Sequence, residues 1–223
     1  MSKRLTALIS GWSLILMAIF AAFSFGYAFP EFYQSEQINS FKASILNKKE
    51  LYRSMLIGIL LILILDLVVS YTLFGYFKND NNRIALASAI FRIVYTLIFA
   101  SATYYLTKNL NPNELNSEMI VENFKLFKLT WSTGLIIFGI HILLVGILMI
   151  LHNSIPRVLS YLTMIAGVSY IAVHVLKLTN ADAEFASTLE MILALPMAIG
   201  ELGLAIWLLA RGGKEIKSAA RIL

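Results

Sequence analysis

Three charged residues interrupt runs that otherwise read as hydrocarbon. They are Asp66 in ILLILILDLVVSYTLFGYF (59–77), Arg92 in FRIVYTLIFASAT (91–103) and Glu201 in LALPMAIGELGLAIWLLARG (193–212). His141 and His174 lie in similar runs. Two carboxylates, a guanidinium and an imidazole in apolar surroundings can neutralise one another, pass a proton or hold a cation. A charge at the centre of a bilayer costs about 2.5–3.5 kcal/mol on insertion scales, so each of these groups needs a partner or a task.

Charge balance separates the possibilities. Asp66 and Arg92 can neutralise each other, which leaves Glu201 without a partner. A lone carboxylate in a low dielectric takes a proton or finds a cation. Glu201 is therefore neutral, faces a protonated His141, or holds an ion. The residues sharing these helical faces form a supporting set. Ser70 is one turn from Asp66, and Arg92 shares its face with Ser88, Tyr95, Thr96 and Thr103. Ala194, Ala198 and Ala205 form a small-residue stripe around Glu201, and such stripes let helices approach closely. Pro196 cannot donate to the carbonyl of Ile192, so a bend or a wet pocket near Glu201 is expected. Simpler readings stand beside these: Asp66–Arg92 as an interhelical clamp without chemistry, and His141 as a hydrogen-bonded core histidine. His174, with Tyr170 and Gly167 on its face, reads as interfacial anchoring rather than the outer end of a polar path. Trp12, Trp131 and Trp207 read as belt residues near span ends.

A metal site made of Asp66, His141 and Glu201 with an open position for water is the enzymatic alternative. A single histidine at that level and the adjacent positive charge of Arg92 count against it. The sequence has no H-E-x-x-H and no G-x-S-x-G. No catalytic residue, metal ligand set or cofactor is assigned.

The elements that must position these groups are membrane spans. The chain of 223 residues is 59% hydrophobic and 14% charged, where soluble domains are roughly a quarter charged. Its mean hydropathy is +0.77. Apolar runs near the ~20 residues needed to cross a bilayer recur along it. Alternation of polar and apolar residues, the mark of a membrane barrel, is missing. The chain has no cysteine, which excludes disulfides and thiolate chemistry. The fold class expected is all-α, a polytopic transmembrane bundle in one domain. Its six spans fall near 5–29, 52–77, 83–106, 124–151, 157–177 and 188–211. The first reads as a retained span rather than a cleaved signal peptide, because its apolar run exceeds the ~7–15 residues of a secretory segment.

Depth follows from these boundaries. Asp66 lies twelve residues before Lys78, Arg92 nine after Arg83, His141 eleven before His152 and Glu201 ten before Arg211. At about 1.5 Å per residue these are depths of roughly 13–18 Å, near the middle of a ~30 Å core. Four ionisable groups from four helices should share one level.

The net charge of +5 reads as basic residues facing anionic lipid, not as a nucleic-acid footprint. Lys and Arg are divided almost evenly between the two sides. Those at the N-terminus, 78–83, 152–157 and 211–223 sit in short segments beside span ends, where they weigh most. Both termini are therefore expected in the cytoplasm. Two readings stand for the segment 31–50, whose Ile38, Phe41 and Ile45 share a helical face: a helix on the outer interface or a polar loop. The tail KEIKSAARIL is expected at the headgroups. No internal repeat is detectable.

The stretches GIHILLVGILMILHNSIPRVLSYLTMIAGVSYI (139–171) and LALPMAIGELGLAIWLLARG (193–212) resemble the bacterial membrane family called domain-of-unknown-function 4386. The resemblance is carried by Gly139, His141, Gly146, Ile155, Pro156, Arg157, Gly167, Tyr170, Pro196, Glu201, Trp207 and Gly212. Ser160 departs from it, standing where glycine is expected. The resemblance implies a multi-span protein of a bacterial inner membrane and brings no activity with it. The function expected is binding or translocation of a proton or small cation through the layer of Asp66, Arg92, His141 and Glu201. The alternatives are a non-catalytic membrane partner or lipid sensor with a structural polar cluster, and the metal enzyme above. The partners expected are the bilayer and that proton or cation; oligomeric state is left open.

Overall fold

A backbone in hydrocarbon has no water to bond to, so each long apolar run closes its own hydrogen bonds as a helix. The computed structural model describes residues 1–33, 38–179 and 183–214, without the side chains of 38–40, 183, 184 and 187. The helices are α1 (Lys3–Ala21), α2 (Pro30–Tyr33), α3 (Ile38–Asn47), α4 (Lys49–Phe77), α5 (Asn82–Lys108), α6 (Ser117–Leu151), α7 (Arg157–Leu178) and α8 (Ala183–Ala210). Among the described residues six stretches are long and apolar enough to cross a membrane: Lys3–Tyr33, Lys49–Phe77, Asn82–Lys108, Ser117–Leu151, Arg157–Leu178 and Thr188–Ala210. The chain is a polytopic helical bundle.

Side chains set the helix starts. Ser2, Asn81 and Asn116 accept hydrogen bonds from the backbone N–H of Leu5, Ile84 and Met119 at 3.2, 3.1 and 2.7 Å, satisfying donors that a helix start leaves free. Pro156 immediately precedes α7. Gly213, with φ of 65°, follows α8, in the left-handed conformation that glycine adopts without a Cβ penalty.

The spanning helices form a ring in chain order. α1 packs on α4, α4 on α5, α5 on α6, α6 on α7, α7 on α8, and α8 returns to α1. The termini therefore meet at one end, where the Arg4 guanidinium donates to the carbonyls of Leu208, Leu209 and Gly212 at 3.1, 2.7 and 2.8 Å. Leu208 and Leu209 lie in the last turn of α8, where carbonyls run short of intrahelical donors, although the Leu208 carbonyl also accepts from the Gly212 N–H at 3.1 Å.

Two apolar cores fill the ring. One, in the half distal to the termini, is rich in aromatics: Phe32, Tyr52, Tyr95, Phe99, Phe124, Phe127 and Phe138. The other, near the termini, holds Leu14, Val69, Leu73, Tyr76, Val145, Leu148 and Leu204. Asp66, Arg92 and His141 fall in the gap between the two sets.

Two expectations are revised and two are resolved. α6 begins at Ser117, seven residues before the expected span, because a helix continues past the hydrocarbon once capped by Asn116. At about 1.5 Å per residue its length exceeds a ~30 Å core. The first span runs on to Tyr33, and its 22–28 stretch is π-helical, a form found mostly as local bulges. α8 starts at Ala183, while its spanning stretch begins at Thr188, as expected. Of the two readings for the segment after the first span, the helical one holds, as α3, and the polar loop does not. Phe41 and Ile45 of α3 are buried, and Phe41 packs on Tyr33 and Phe124. The tail 215–223 and the side chain of Ile38 lie outside the described residues.

α6 and α7 touch backbone to backbone. A Cβ on Gly167 would stand 2.8 Å from the carbonyl oxygen of Gly139, and a Cβ on Gly139 would stand 2.8 Å from that of Gly167. The obstacle is main chain and cannot rotate away. Gly167→Ala should destabilise the bundle by about 1–3 kcal/mol, read as a lower melting temperature of the purified protein in detergent. Unchanged melting would mean that this close approach does not hold in solution.

Candidate functional site

Arg92 is the hub of the buried polar cluster. Its Nε and Nη2 both donate to Oδ1 of Asp66, at 2.9 and 2.7 Å. Its Nη1 lies 3.0 Å from Nε2 of His141, and its Nη2 reaches the sulfur of Met17 at 3.7 Å. Phe138 presents its ring to the guanidinium at 5.4 Å, a favourable geometry for a cation on an aromatic face. Asp66, Arg92 and His141 are at most 1% exposed. The second oxygen of Asp66 is buried without a partner among the described residues.

The tautomer of His141 follows from its neighbours. A guanidinium has only donors, so Nε2 must accept from Arg92. Nδ1 then carries the proton and donates to the backbone carbonyl of Ser88 at 2.9 Å. The Ser88 hydroxyl also lies 2.9 Å from Nδ1. His141 is thus a neutral ring locked between α5 and itself on α6. This corrects one expectation: a protonated His141 facing Glu201 would need a nitrogen free to donate to the carboxylate, and both nitrogens are committed.

Glu201 stands across a small gap from this network. Arg92, His141, Thr163, Gly200 and Glu201 line a cavity of about 10 Å³, close to the ~10–15 Å³ that one water needs. The carboxylate accepts a hydrogen bond from the Tyr170 hydroxyl at 3.2 Å and has no ion-pair partner among the described residues. Unlike the other three it is partly exposed. Its open side forms the inner end of a cleft of about 460 Å³ in the distal half of the bundle. α1 and α8 touch near the termini, where a Cβ on Gly11 would meet Leu209 and the Ala205 carbonyl. Farther from the termini both helices line the cleft, through Met17, Ala18 and Ala21 on one side and Met197, Ala198 and Leu202 on the other.

The structure clusters all four expected residues, with Asp66 paired to Arg92 and Arg92, His141 and Glu201 lining the small cavity, and it sorts the supporting residues. Ser88 belongs to the network. Tyr95 packs on Phe138 at 4.7 Å and lines the cleft. Ser70 does not serve Asp66; its hydroxyl donates to the Ala89 carbonyl at 3.0 Å and ties α4 to α5. Pro196 lies inside α8, which continues through it. Among the described residues no three Asp, Glu or His side chains form a metal-holding group; His141, engaged by Arg92 and Ser88, leaves Asp66 and Glu201 without a third ligand.

Three residues carry more than their sequence context indicated. Tyr170 is the partner of Glu201. His174 is buried, not interfacial, with Ser132 at 3.3 Å, and it lines the cleft. Trp131 is no belt residue. It stacks on Phe25 at 4.4 Å and Phe99 at 5.6 Å, with its Nε1 buried and without an acceptor among the described residues. The common face of Gly167, Tyr170 and His174 was the signal for the first two; a tryptophan gives no sign of which way it points.

A second cavity, of about 1020 Å³, lies at the end where the termini meet and is lined by Lys3, Arg4, His152, Arg211 and Lys214. His152 Nδ1 faces Asp80 there at 2.9 Å.

Residues 9–212 match the family model described as Domain of unknown function (DUF4386). An uncharacterized protein of Archaeoglobus fulgidus is 29% identical over 159 residues, 71% of this chain and 84% of that one. No solved structure matches.

Removing one partner of a buried ion pair strands the other. Asp66→Leu should cost about 3–5 kcal/mol of stability, and the double variant Asp66→Leu with Arg92→Leu should recover most of it. Denaturant unfolding of the wild type, both single variants and the double variant in detergent tests this. Equal losses that simply add would show that the two side chains do not interact.

Proposed function

The chain belongs to the DUF4386 family, and we propose that it is an integral membrane protein that binds or translocates a proton or small cation at Glu201. Asp66, Arg92 and His141 are the frame of that site. The observation that carries this reading is the asymmetry of the layer. Asp66 and Arg92 cancel each other's charge and His141 is neutral, while Glu201 has a tyrosine hydroxyl but no cation, and it faces open space. A carboxylate in that position is stabilised by taking up a positive charge.

Tyr170 holds the acceptor oxygen in place, and the Arg92–Asp66 dipole beside it sets the local field. Toward the termini, Leu14, Leu73, Val145 and Leu204 close the path below the small cavity, so passage through the membrane requires the contact of α1 with α8 to open. A reading as internal glue, suited to a lipid sensor or a partner of another membrane protein, is favoured by the closed Asp66–Arg92–His141 network. It leaves Glu201 without a role.

The membrane is proposed to be the cytoplasmic one, with both termini inside. Support comes from the basic residues beside the span ends on that side. The absence of cysteine makes the orientation easy to read. A membrane-impermeant maleimide should label Asn113→Cys in intact cells, and label Ser2→Cys only after permeabilisation. The reverse pattern would invert the orientation.

Glu201→Gln keeps the shape and removes the charge. In liposomes that report internal pH or cation content, the wild-type protein should support flux and Glu201→Gln should abolish it. Flux that is measurable and equal in both would remove Glu201 from the mechanism.

A further inference from the structure

The cleft that ends at Glu201 is far larger than a proton or a bare metal ion requires. Its volume of about 460 Å³ falls within the ~300–1,000 Å³ typical of small-molecule sites. Its walls are aromatic: Phe25, Tyr95, Phe99, Trp131, Phe138 and Tyr170 all line it. Neither lysine nor arginine does, among the described residues. The second acid, Glu190, already pairs with Lys177 at 2.6 Å, so the uncompensated charge of the cleft is Glu201 at its inner end.

These features select a class of cation. A bare inorganic ion would exchange a full hydration shell for one carboxylate, one tyrosine hydroxyl and the faces of hydrocarbon rings. A bulky organic cation with delocalised charge is weakly hydrated and brings its own apolar surface, so it loses little on entering. Aromatic faces attract such a charge electrostatically, by ~2 kcal/mol or more where water is excluded. Trp131 is held by stacking on Phe25, and Phe138 and Tyr170 meet edge to face at 5.1 Å. The rings are therefore braced against one another before any ligand arrives.

We propose that the cleft binds a lipophilic organic cation, with its charge near Glu201 and its apolar body among the aromatic side chains between α1 and α8. This rests on the reading of Glu201 as the cation site and names the class of cation that it takes.

Tetraphenylphosphonium is the probe, and triphenylphosphine oxide is its neutral counterpart. Equilibrium dialysis against the purified protein in detergent should show saturable binding of the phosphonium and much weaker binding of the oxide. Glu201→Gln should weaken the phosphonium roughly tenfold or more. Ala198→Phe, which keeps the carboxylate and narrows the cleft, should weaken it as well; circular dichroism and melting confirm that each variant is folded. Equal binding of phosphonium and oxide, or phosphonium binding unchanged by either substitution, would overturn the proposal. Glu201-dependent proton or rubidium flux in a protein that does not bind phosphonium would sink the lipophilic specificity alone. Loss of both would sink the cation site itself.

Discussion

The buried pair of Asp66 and Arg92 is the constraint on which the rest of this bundle depends. Two charges in hydrocarbon are tolerated at far lower cost while they face each other. Arg92 faces its partner while reaching three helices at once: Asp66 on α4, His141 on α6 and the sulfur of Met17 on α1. The guanidinium thereby sets the register of α4, α5 and α6 against one another, since sliding any of them by one turn would strand a charge. It also dictates the protonation of His141, because an arginine can only donate.

Around this pair the interior divides into two apolar cores with a polar layer between them. The aromatic core is distal to the termini and the more aliphatic one is near them. The difference has a functional consequence. Aliphatic side chains pack densely and close the bundle where α1 meets α8, with Arg4 clamping the last carbonyls of α8. The larger, flat rings brace one another and leave a cleft where the same two helices line its walls. Glu201 sits where the two regimes meet, which is why it alone of the four layer residues is both intramembrane and reachable.

Much of the site was legible before any coordinates. Depth is a linear property of a helix, so counting residues from Lys78, Arg83, His152 and Arg211 placed Asp66, Arg92, His141 and Glu201 at one level. Charge balance singled out Glu201. Direction around the helix was less legible. Ser70 was assigned to Asp66 from its spacing, yet its hydroxyl bonds to Ala89 on the neighbouring helix. Trp131 and His174 were placed at the interface by their distance from the span ends, yet both turn inward. The first turns of α6 were missed because hydropathy senses the membrane, not the end of a capped helix.

The sequence by itself indicated the number of apolar spanning helices, a common spacing of the ionisable groups from the span ends, and the excess of one acid. These follow from length, hydropathy and electroneutrality, which are additive along the chain. Only the tertiary structure decided that Arg92 bonds both Asp66 and His141, that His141 is thereby neutral and closed to Glu201, that Tyr170 holds that acid, and that an aromatic cleft opens onto it. Those facts depend on which helix stands beside which, and on how closely. That is settled by the contact of Gly139 with Gly167, the return of α8 to α1 and the stacking of rings from four helices, none of which is a property of any one segment.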